Sequence, residues 1–364
     1  MLISTFNEIE IKAIACAVPE QEITAESIYH EHGQEFTEKI KKTIAVNTIR
    51  KSIKKQTASD LGYVAAKKII DAMNIDPNAI GLLIFVTQSP DYLVPATSCI
   101  LHKRLDLSLD CATVDVNNGC AGYVYGMNIA FSMLNNLNCE YAMLIVGDTS
   151  SYKKKDKELL SKRVSVPFGD GTSATLLKKS NNAKPVEISL RTDGGGYHSL
   201  IKYSGGLRAK TYSSNEIKKG YRKNRYPLMN GVEVFNFSIT RVPEQINQFI
   251  AYQKKHANDY DSIILHQPNL LMIKQIAKRI GANIDNVPIS LYKYGNTSGA
   301  SIPITLVDRY GGNDCGEINT LMCGFGIGLL WGTMSATIDT KNILPMLYSD
   351  DFYEDPGLDN YSYD

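Results

Sequence analysis

Short apolar runs that alternate with segments of helical periodicity are the feature that most constrains this fold. The runs are continuous or nearly so, which is typical of strands in sheets buried on both faces. They lie at residues 82–87, 112–117, 142–147, 262–266 and 317–323. Helices are predicted between them at 59–73, 122–134, 242–256 and 270–280. The alternation predicts an α/β architecture.

Two similar halves are predicted, because 364 residues exceed the usual size of one hydrophobic core. GDGTSATLL at 169–177 and GFGIGLLWGTMSA at 324–336 are both Gly-rich turns that lead into an apolar run. We place the halves at residues 1–178 and 179–340, with the polar stretch 178–185 as the junction. Residues 341–364 form an acidic, aromatic tail, which we expect to be peripheral.

Composition and charge exclude several classes of protein. A formal net charge of +1 argues against a general binder of nucleic acid. The N-terminus lacks the layout of a signal peptide, and no apolar stretch approaches the ~18 residues of a membrane span. Seven cysteines without a C-x-x-C pair indicate neither a disulfide framework nor a metal site. We therefore expect a cytoplasmic protein that binds no membrane and no metal.

Cys120 is the candidate nucleophile. It lies in DVNNGCAGYVYG at 115–126, which predicts a strand, a tight turn and a helix that starts at the cysteine. The first turn of a helix favours an anion, so we expect a lowered thiol pKa. Gly119 and Gly122 allow a sharp turn and a close approach to the sulfur. A cysteine taken alone is ordinarily a small buried residue; the other six lack this Gly-flanked junction.

Two downstream segments carry further polar candidates. His266 ends a predicted strand in IILHQPN, with Pro268 where a helix should begin. Asn296 lies in YGNTSGAS at 294–301, another turn between a predicted strand and a helix. Either residue alone could be structural, His266 as a loop residue and Asn296 as a helix cap. A single cysteine with a distant histidine and asparagine is, however, a recognised arrangement for covalent catalysis.

Six segments, in this order along the chain, resemble β-ketoacyl-acyl-carrier-protein synthase III and its relatives in the thiolase superfamily, over about residues 8–336. They are DVNNGCAGYVYG, PFGDGTSATLL at 167–177, MNGVEVFNF at 229–237, HQPN at 266–269, YGNTSGASIP at 294–303 and GFGIGLLWG at 324–332. The resemblance implies a thiolase-like five-layer αβαβα fold built from two duplicated halves. It also implies a homodimer with a tunnel that leads to the buried cysteine.

The resemblance implies a role for each candidate. Cys120 would accept an acyl group from a thioester, and His266 and Asn296 would help a malonyl thioester lose carbon dioxide. Two neutral N–H donors suit that step, since negative charge develops on the thioester oxygen of the enolate. Decarboxylative Claisen condensation would then give a β-ketoacyl product. Backbone N–H groups of Cys120 and of the Gly326 turn would form the oxyanion hole for the tetrahedral intermediate.

Substrate contacts are implied more loosely. Asn269 matches a residue that contacts the pantetheine arm or an ordered water near the histidine, and Phe325 matches an aromatic beside the catalytic groups. Val94 falls in the region that reaches across the dimer into the partner's acyl tunnel.

The donor site departs from the family pattern. The Trp that commonly packs on the adenine of coenzyme A is absent from 35–50, and the expected R-T-G-I turn is replaced by KKTIAV. Lys42, Lys162 and Arg163 remain as cations for coenzyme A phosphates or for an acidic carrier protein. We expect no permanently bound cofactor, with coenzyme A or phosphopantetheine thioesters as substrates. We hypothesise an acyl carrier protein as donor and a specialised pathway rather than bulk fatty-acid initiation.

Two other functions stay open. A non-decarboxylating acyltransferase would pass the acyl group to an oxygen or nitrogen nucleophile, but that reaction needs a base, for which Asp suits better than Asn296. A catalytically silent partner subunit is a further alternative. Such relatives usually lose the nucleophile, whereas this chain keeps Cys120, His266 and Asn296.

Overall fold

Two large β-sheets organise the protein in the computed structural model, which describes residues 1–29, 38, 44–149, 168–202, 206–208 and 228–355. The first sheet has six strands in the order β15-β2-β8-β7-β5-β6, and the second has five in the order β1-β9-β14-β13-β12. Two-stranded sheets β3-β4 and β10-β11 lie outside them. The strands are β1 (Ser4–Phe6), β2 (Ile9–Val18), β3 (Glu22–Thr24), β4 (Thr48–Arg50), β5 (Ile80–Val86), β6 (Ala112–Val116), β7 (Tyr141–Asp148), β8 (Gly171–Lys179), β9 (Val186–Thr192), β10 (Leu200–Ile201), β11 (Leu228–Met229), β12 (Ser262–Leu265), β13 (Glu317–Gly326), β14 (Leu330–Asp339) and β15 (Leu347–Tyr348).

Helices cover both faces of each large sheet. Within the described residues they are α1 (Ala25–Tyr29), α2 (Ala58–Ala72), α3 (Thr97–Arg104), α4 (Gly122–Asn136), α5 (Gly231–Tyr252), α6 (Leu270–Arg279), α7 (Leu291–Tyr294) and α8 (Ser301–Tyr310). Helices α2 and α3 pack on one face of the first sheet, and α5 packs on one face of the second and against α6. Helices α4 and α8 contact both sheets. The layers therefore follow the predicted order of helix, sheet, helix, sheet and helix.

The two large sheets repeat one topology, as the duplicated fold implies. In the first, β8 lies between β2 and β7 and runs antiparallel to both, while β5 continues parallel to β7. In the second, β14 lies between β9 and β13 in the same way, and β12 continues parallel to β13. Strand β1, near the N-terminus, joins the second sheet, and β15, near the C-terminus, joins the first. The chain therefore crosses between the sheets at both ends, and the boundary at residue 178 stays a prediction.

Burial on both faces explains the sequence pattern of the central strands. Residues 142–147 of β7 are all buried, so the strand has no polar face. The largest core cluster joins the two sheets through α4, with Met127, Phe131 and Leu134 fully buried beside Ile188 and Met322. The predicted central strands are thus confirmed, and their ends differ from the prediction by at most three residues.

Two predictions need correction. The helix expected at 242–256 begins at Gly231 and runs through Pro243, because the side chain of Asn230 caps it by accepting from the Glu233 N–H at 3.3 Å. The tail is not peripheral between residues 343 and 353. Ile343 is fully buried, β15 pairs with β2, and the Tyr353 N–H donates to Asp60 Oδ1 at 2.9 Å. Residues 356–364 lie outside the described part of the chain.

Among the described residues, every helix is too short or too polar to cross a bilayer.

Candidate active site

Cys120, His266 and Gly326 lie where strands of both large sheets end, whereas the strand predicted before Asn296 is replaced by the short helix α7. Cys120 follows β6 and precedes α4, and His266 directly follows β12, where its backbone N–H donates to the Cys323 carbonyl at 2.9 Å. Gly326 is the last residue of β13, and Asn296 lies between α7 and α8. The carboxyl ends of strands are where α/β sheets build their sites, because side chains of several loops meet there.

Cys120 is packed against the turn that follows β13. The residue is buried, with 8% of its surface exposed, and α4 starts two residues later with Ala121 as its N-cap. A Cβ atom on Gly326 would lie 2.5 Å from the Cys120 Cβ and 3.0 Å from its Sγ. Only glycine can therefore occupy position 326 without displacing the nucleophile.

The acidity of the thiol differs from the prediction. Burial, and then the negative charge of Asp148, raise the pKa of Cys120 to about 11. Hydrogen bonds from the backbone N–H groups of Ile327 and Cys120, and from the Ser298 hydroxyl, oppose this rise in pKa. The expected lowering of the pKa was wrong, because desolvation of the thiolate outweighs the donors around it. The N–H beside the sulfur belongs to Ile327, one residue beyond the predicted Gly326.

His266 is a buried, neutral imidazole. It is 2% exposed, and burial lowers its pKa to about 3, although a hydrogen bond with the backbone of Ser298 opposes this shift. Its Nδ1 lies 2.7 Å from Ser301 Oγ, and its ring meets Phe325 edge to face with centroids 5.4 Å apart. The ring is thus fixed in orientation and can offer a neutral N–H donor at neutral pH.

Asn296 is held by its own turn. Its Oδ1 accepts the Ser298 N–H at 2.9 Å, and its carbonyl accepts the Gly169 N–H at 3.1 Å. A Cβ atom on Gly169 would lie 1.9 Å from the Tyr294 carbonyl oxygen, so the glycine of the PFGDG segment permits this contact. No described residue accepts a hydrogen bond from the Asn296 Nδ2. Its amide N–H₂ group therefore remains available as a donor.

Ser298 lies beside the candidates, and no role was predicted for it. Its N–H donates to the Asn296 Oδ1 at 2.9 Å, its backbone opposes the lowering of the His266 pKa, and its hydroxyl opposes the rise of the Cys120 pKa. Its φ is 51°, a left-handed conformation that costs a residue with a side chain about 1–2 kcal/mol. The surrounding contacts hold it in this conformation, as is common at functional sites. A serine within a G-N-T-S-G segment is typical of a turn, so nothing in the sequence indicates a separate role for Ser298.

The residues predicted to contact substrate lie in different surroundings, and their roles stay predictions. Asn269 caps α6, which begins at Leu270, by accepting the Met272 N–H at 2.8 Å. Phe325 lies beside His266, whereas Val94 is 83% exposed. The predicted cations lie outside the described residues; they are Lys42, Lys162 and Arg163. Their proximity to the site stays a prediction.

Comparison with known proteins agrees with this geometry. The sequence matches the family of 3-oxoacyl-[acyl-carrier-protein] synthase III over residues 114–194 and the C-terminal part of the same family over residues 250–338. These two segments contain Cys120, His266 and Asn296.

Relatives and solved structures match most of the chain. A β-ketoacyl-[acyl-carrier-protein] synthase III of Clostridium acetobutylicum is 31% identical over 332 residues, which is 90% of this chain and 98% of the relative. Its counterpart in Clostridium tetani is 32% identical over 290 residues, covering 78% and 84%. The crystal structure of 3-oxoacyl-(acyl-carrier protein) synthase from Burkholderia xenovorans LB400 superimposes with a TM-score of 0.85 at 28% identity, covering 96% of this chain and 99% of that one.

Fold and sequence together define an acyltransferase of the thiolase-like class of condensing enzymes. The chain belongs to the 3-oxoacyl-[acyl-carrier-protein] synthase III family.

Proposed function

We propose that the protein loads an acyl group from a thioester onto Cys120 and condenses it with a malonyl thioester, releasing carbon dioxide and a β-ketoacyl product. The observation that carries this proposal is the meeting of three chain segments at one place. Gly326 lies against Cys120, its neighbour Phe325 meets the ring of His266, and the His266 Nδ1 lies 2.7 Å from Ser301 Oγ, in the segment that holds Asn296. A nucleophile and two neutral donors on segments that meet are what this chemistry requires.

Decarboxylation is assigned to His266 and Asn296. When the malonyl group loses carbon dioxide, negative charge moves onto the thioester oxygen of the enolate. His266 stays neutral at the pH of the cell, since burial holds its pKa near 3, and so it donates an N–H without adding a charge. The Asn296 Nδ2 is the second donor. Removal of one such donor typically costs about 10²- to 10³-fold in rate.

Carbon–carbon bond formation is assigned to the Cys120 side of the pocket. The enolate carbon attacks the acyl carbon on the sulfur, and a tetrahedral intermediate carries the charge on its oxygen. The backbone N–H groups of Cys120 and of Ile327, in the turn after Gly326, stabilise that oxygen. Their proximity to the sulfur, visible in their effect on its pKa, supports this assignment.

Transfer to an oxygen or nitrogen acceptor is disfavoured by the same geometry. That reaction needs a base to remove the proton of the acceptor. His266 is a weak base because its pKa is lowered to about 3, and Asn296 has no basic group. The pair therefore fits stabilisation of an enolate better than activation of an alcohol or amine.

The thioester donor is proposed to be an acyl carrier protein, with coenzyme A as the alternative. This choice is supported by the donor site, where KKTIAV replaces the R-T-G-I turn of the family pattern. Ala45, in KKTIAV, adopts a φ of 65°, the left-handed conformation that favours glycine, and is 1% exposed. A test compares acyl-coenzyme A with the same acyl group on carrier protein in a Cys120 loading assay. Much faster loading from coenzyme A would remove this part of the proposal.

A homodimer is also proposed. Strand β6 pairs with β5 and forms the edge of the six-stranded sheet, and an unpaired edge invites a second strand. Leu93 and Val94 in the loop after β5 are 86% and 83% exposed, although both are apolar. A second copy that pairs along β6 would shelter them. Light scattering of the wild type and of Leu93→Asp tests this: a dimer that dissociates in the variant is expected, and a wild-type monomer excludes it.

The direct test of the proposed reaction uses malonyl-carrier protein with an acyl thioester. Carbon dioxide and a β-ketoacyl-carrier protein, measured by intact mass, are the expected products. Transfer of the acyl group without release of carbon dioxide would instead establish the non-decarboxylating alternative.

A cytoplasmic location forms part of the proposal, in accordance with the seven free cysteines.

A further inference from the structure

Lys51 and Asp170 form a buried ion pair that the reaction described above does not use. Lys51 Nζ lies 3.2 Å from Asp170 Oδ1, and the two side chains are 6% and 0% exposed. The Ser52 N–H donates to Asp170 Oδ2 at 3.0 Å, and the Asp170 N–H donates to the Arg50 carbonyl at 2.9 Å. Asp170 is therefore fixed to the end of β4 through both its side chain and its backbone.

The two residues before Asp170 contact the turn that holds Asn296. The Gly169 N–H donates to the Asn296 carbonyl at 3.1 Å, and Phe168 pairs with Asn296 in an isolated parallel β-bridge. The backbone of Gly169 also lies so close to the Tyr294 carbonyl that a side chain at this position would not fit. The segment that carries Asp170 is thus held between β4 and the turn of Asn296.

Strand β4 reaches the same turn by a second route. The Thr48 hydroxyl donates to the Lys293 carbonyl at 2.9 Å, and the Asn47 N–H donates to the Tyr292 carbonyl at 3.1 Å. Both carbonyls belong to α7, which ends two residues before Asn296. Three segments therefore contact one another in a closed ring, and the buried ion pair joins two of them.

Such a pair is better suited to fixing geometry than to raising stability. Burying both charges costs hydration, which offsets much of their attraction. Removal of one partner costs far more than the intact pair contributes, because the other charge stays buried. Geometry matters at Asn296, since a misplacement of about 1 Å can cost about 10²-fold in rate.

We propose that Asp170, paired with Lys51, is a positioning residue that fixes the turn of Asn296 and so aims its amide donor at the thioester oxygen of the enolate. This inference rests on the proposed function. Asp170 acts through the hydrogen bond from Gly169 to Asn296 rather than on the substrate. It should therefore affect decarboxylation, the step assigned to Asn296, and leave the loading of Cys120 nearly unchanged.

Two measurements test this role. The first is carbon dioxide release from malonyl-carrier protein without an acyl donor, which gives kcat and KM. The second is single-turnover acylation of Cys120, followed by intact mass. Asp170→Asn removes the negative charge at constant size, and Lys51→Met removes the positive charge at similar length.

Both single variants should lower kcat for carbon dioxide release and leave the other parameters nearly constant. The loss should be on the order of tenfold, below the effect of a full 1 Å misplacement. KM for malonyl-carrier protein should stay within about twofold, because the misplaced donor acts in the transition state. Acylation of Cys120 should stay within about threefold, well below the effect of a lost donor.

Asp60→Asn is the matched control. Asp60 and Arg104 form another buried ion pair, with side chains 3% and 9% exposed, on helices α2 and α3. Asp60→Asn should lower the melting temperature, as Asp170→Asn does, because each leaves a buried cation without its anion. It should leave kcat for carbon dioxide release and the acylation rate at the wild-type level.

A double-mutant cycle with Asn296→Ala separates positioning from a general structural role. Once the amide donor is gone, its position no longer matters. Asp170→Asn should therefore slow carbon dioxide release by less than about twofold in the Asn296→Ala background, as expected of two residues that act on one interaction. A tenfold loss that persists in that background would show that Asp170 acts independently of Asn296.

Other results also overturn the positioning role. Carbon dioxide release at the wild-type rate in Asp170→Asn and Lys51→Met would reject it. Equal losses of release and acylation would show a structural role only. If Asp170→Asn fails to fold, the double variant Lys51→Met/Asp170→Asn, which removes both buried charges, is judged by the same criteria. A wild-type protein that releases no carbon dioxide would reject the proposed function itself, whereas normal release in the variants rejects only the role of Asp170.

Discussion

The two sides of the pocket differ in their electrostatics although both are buried. On one side the negative charge of Asp148 acts on Cys120 and contributes to its raised pKa. On the other side His266 is surrounded by the ring of Phe325, the hydroxyl of Ser301 and backbone groups. Burial favours the neutral form of both the thiol and the imidazole. The difference shows that a negative charge acts on the nucleophile side, whereas the histidine side offers neutral hydrogen bonds.

Cys120→Ala should separate the activities of the two sides of the pocket most strongly. Acyl loading and condensation should fall by at least ~10³-fold, because the covalent intermediate cannot form. Slow decarboxylation of malonyl thioester should persist, since His266 and Asn296 are unchanged. Carbon dioxide release and intact mass measure the two activities in one sample. Loss of decarboxylation in a folded Cys120→Ala variant would show that the two sides do not act separately.

Asn296→Asp should damage the opposite side. An acid cannot donate a neutral N–H as the amide does, so decarboxylation should fall by about 10²- to 10³-fold. Acyl loading of Cys120 should stay within about threefold, well below the effect of a lost donor. Asn283→Asp is a matched control, because Asn283 is exposed and caps a short turn far along the chain. If loading and decarboxylation fell equally in Asn296→Asp, the assignment of Asn296 to one step would be wrong.

The free energy of unfolding should decrease as pH falls, because His266 is buried as a neutral imidazole. Its folded pKa of about 3 lies below the value near 6.5 expected in the unfolded chain. Below pH 6.5 the unfolded state therefore binds a proton that the folded state does not, and stability falls toward pH 3. Between pH 6.5 and 4.5 the wild type should lose about 2 kcal/mol more than His266→Gln. Denaturant unfolding at both pH values measures this, and equal losses would show that the imidazole titrates normally.

A substitution outside the pocket should alter the free energy of unfolding and leave both activities unchanged. Arg104 lies over the rings of Tyr63 and Tyr353, with centroid distances of 4.5 Å and 4.8 Å, and forms a buried ion pair with Asp60. Tyr353→Ala should lower the free energy of unfolding by about 1 kcal/mol, chiefly through the lost cation–π contact. Tyr252→Ala, at a side chain 54% exposed, is the control and should change it by less than ~0.5 kcal/mol. Altered loading or decarboxylation in Tyr353→Ala would connect the tail to the site.

Much of the fold could be predicted because its pattern is local. Apolar runs with no polar face mark strands buried on both sides, and this placed β5, β6, β7, β12 and β13 correctly. The start of α5 was missed because a proline usually begins a helix, yet Pro243 lies inside one. The docking of the tail was missed because its acidic composition hides the apolar contact of Ile343.

The site could be predicted in its residue types but not in its electrostatics. Cys120 follows Gly119, Asn296 follows Gly295, and His266 lies two residues before Pro268, so the sequence marks all three junctions. The pKa of the thiol was predicted in the wrong direction, because burial depends on packing against Gly326, which lies in the other half of the chain. Asp148 gave no signal of its own, since its effect on the Cys120 pKa arises only when two separate segments of the chain come together.

The measurement that tests the account most directly is the location of the acyl group. The wild-type protein is mixed with an acyl thioester in the absence of malonyl thioester, quenched in acid and analysed by intact mass and peptide mapping. The account predicts one acyl group per chain, on the peptide that contains Cys120, which disappears when malonyl-carrier protein is added. No adduct, or an adduct confined to the exposed Cys99 or Cys315, would contradict it.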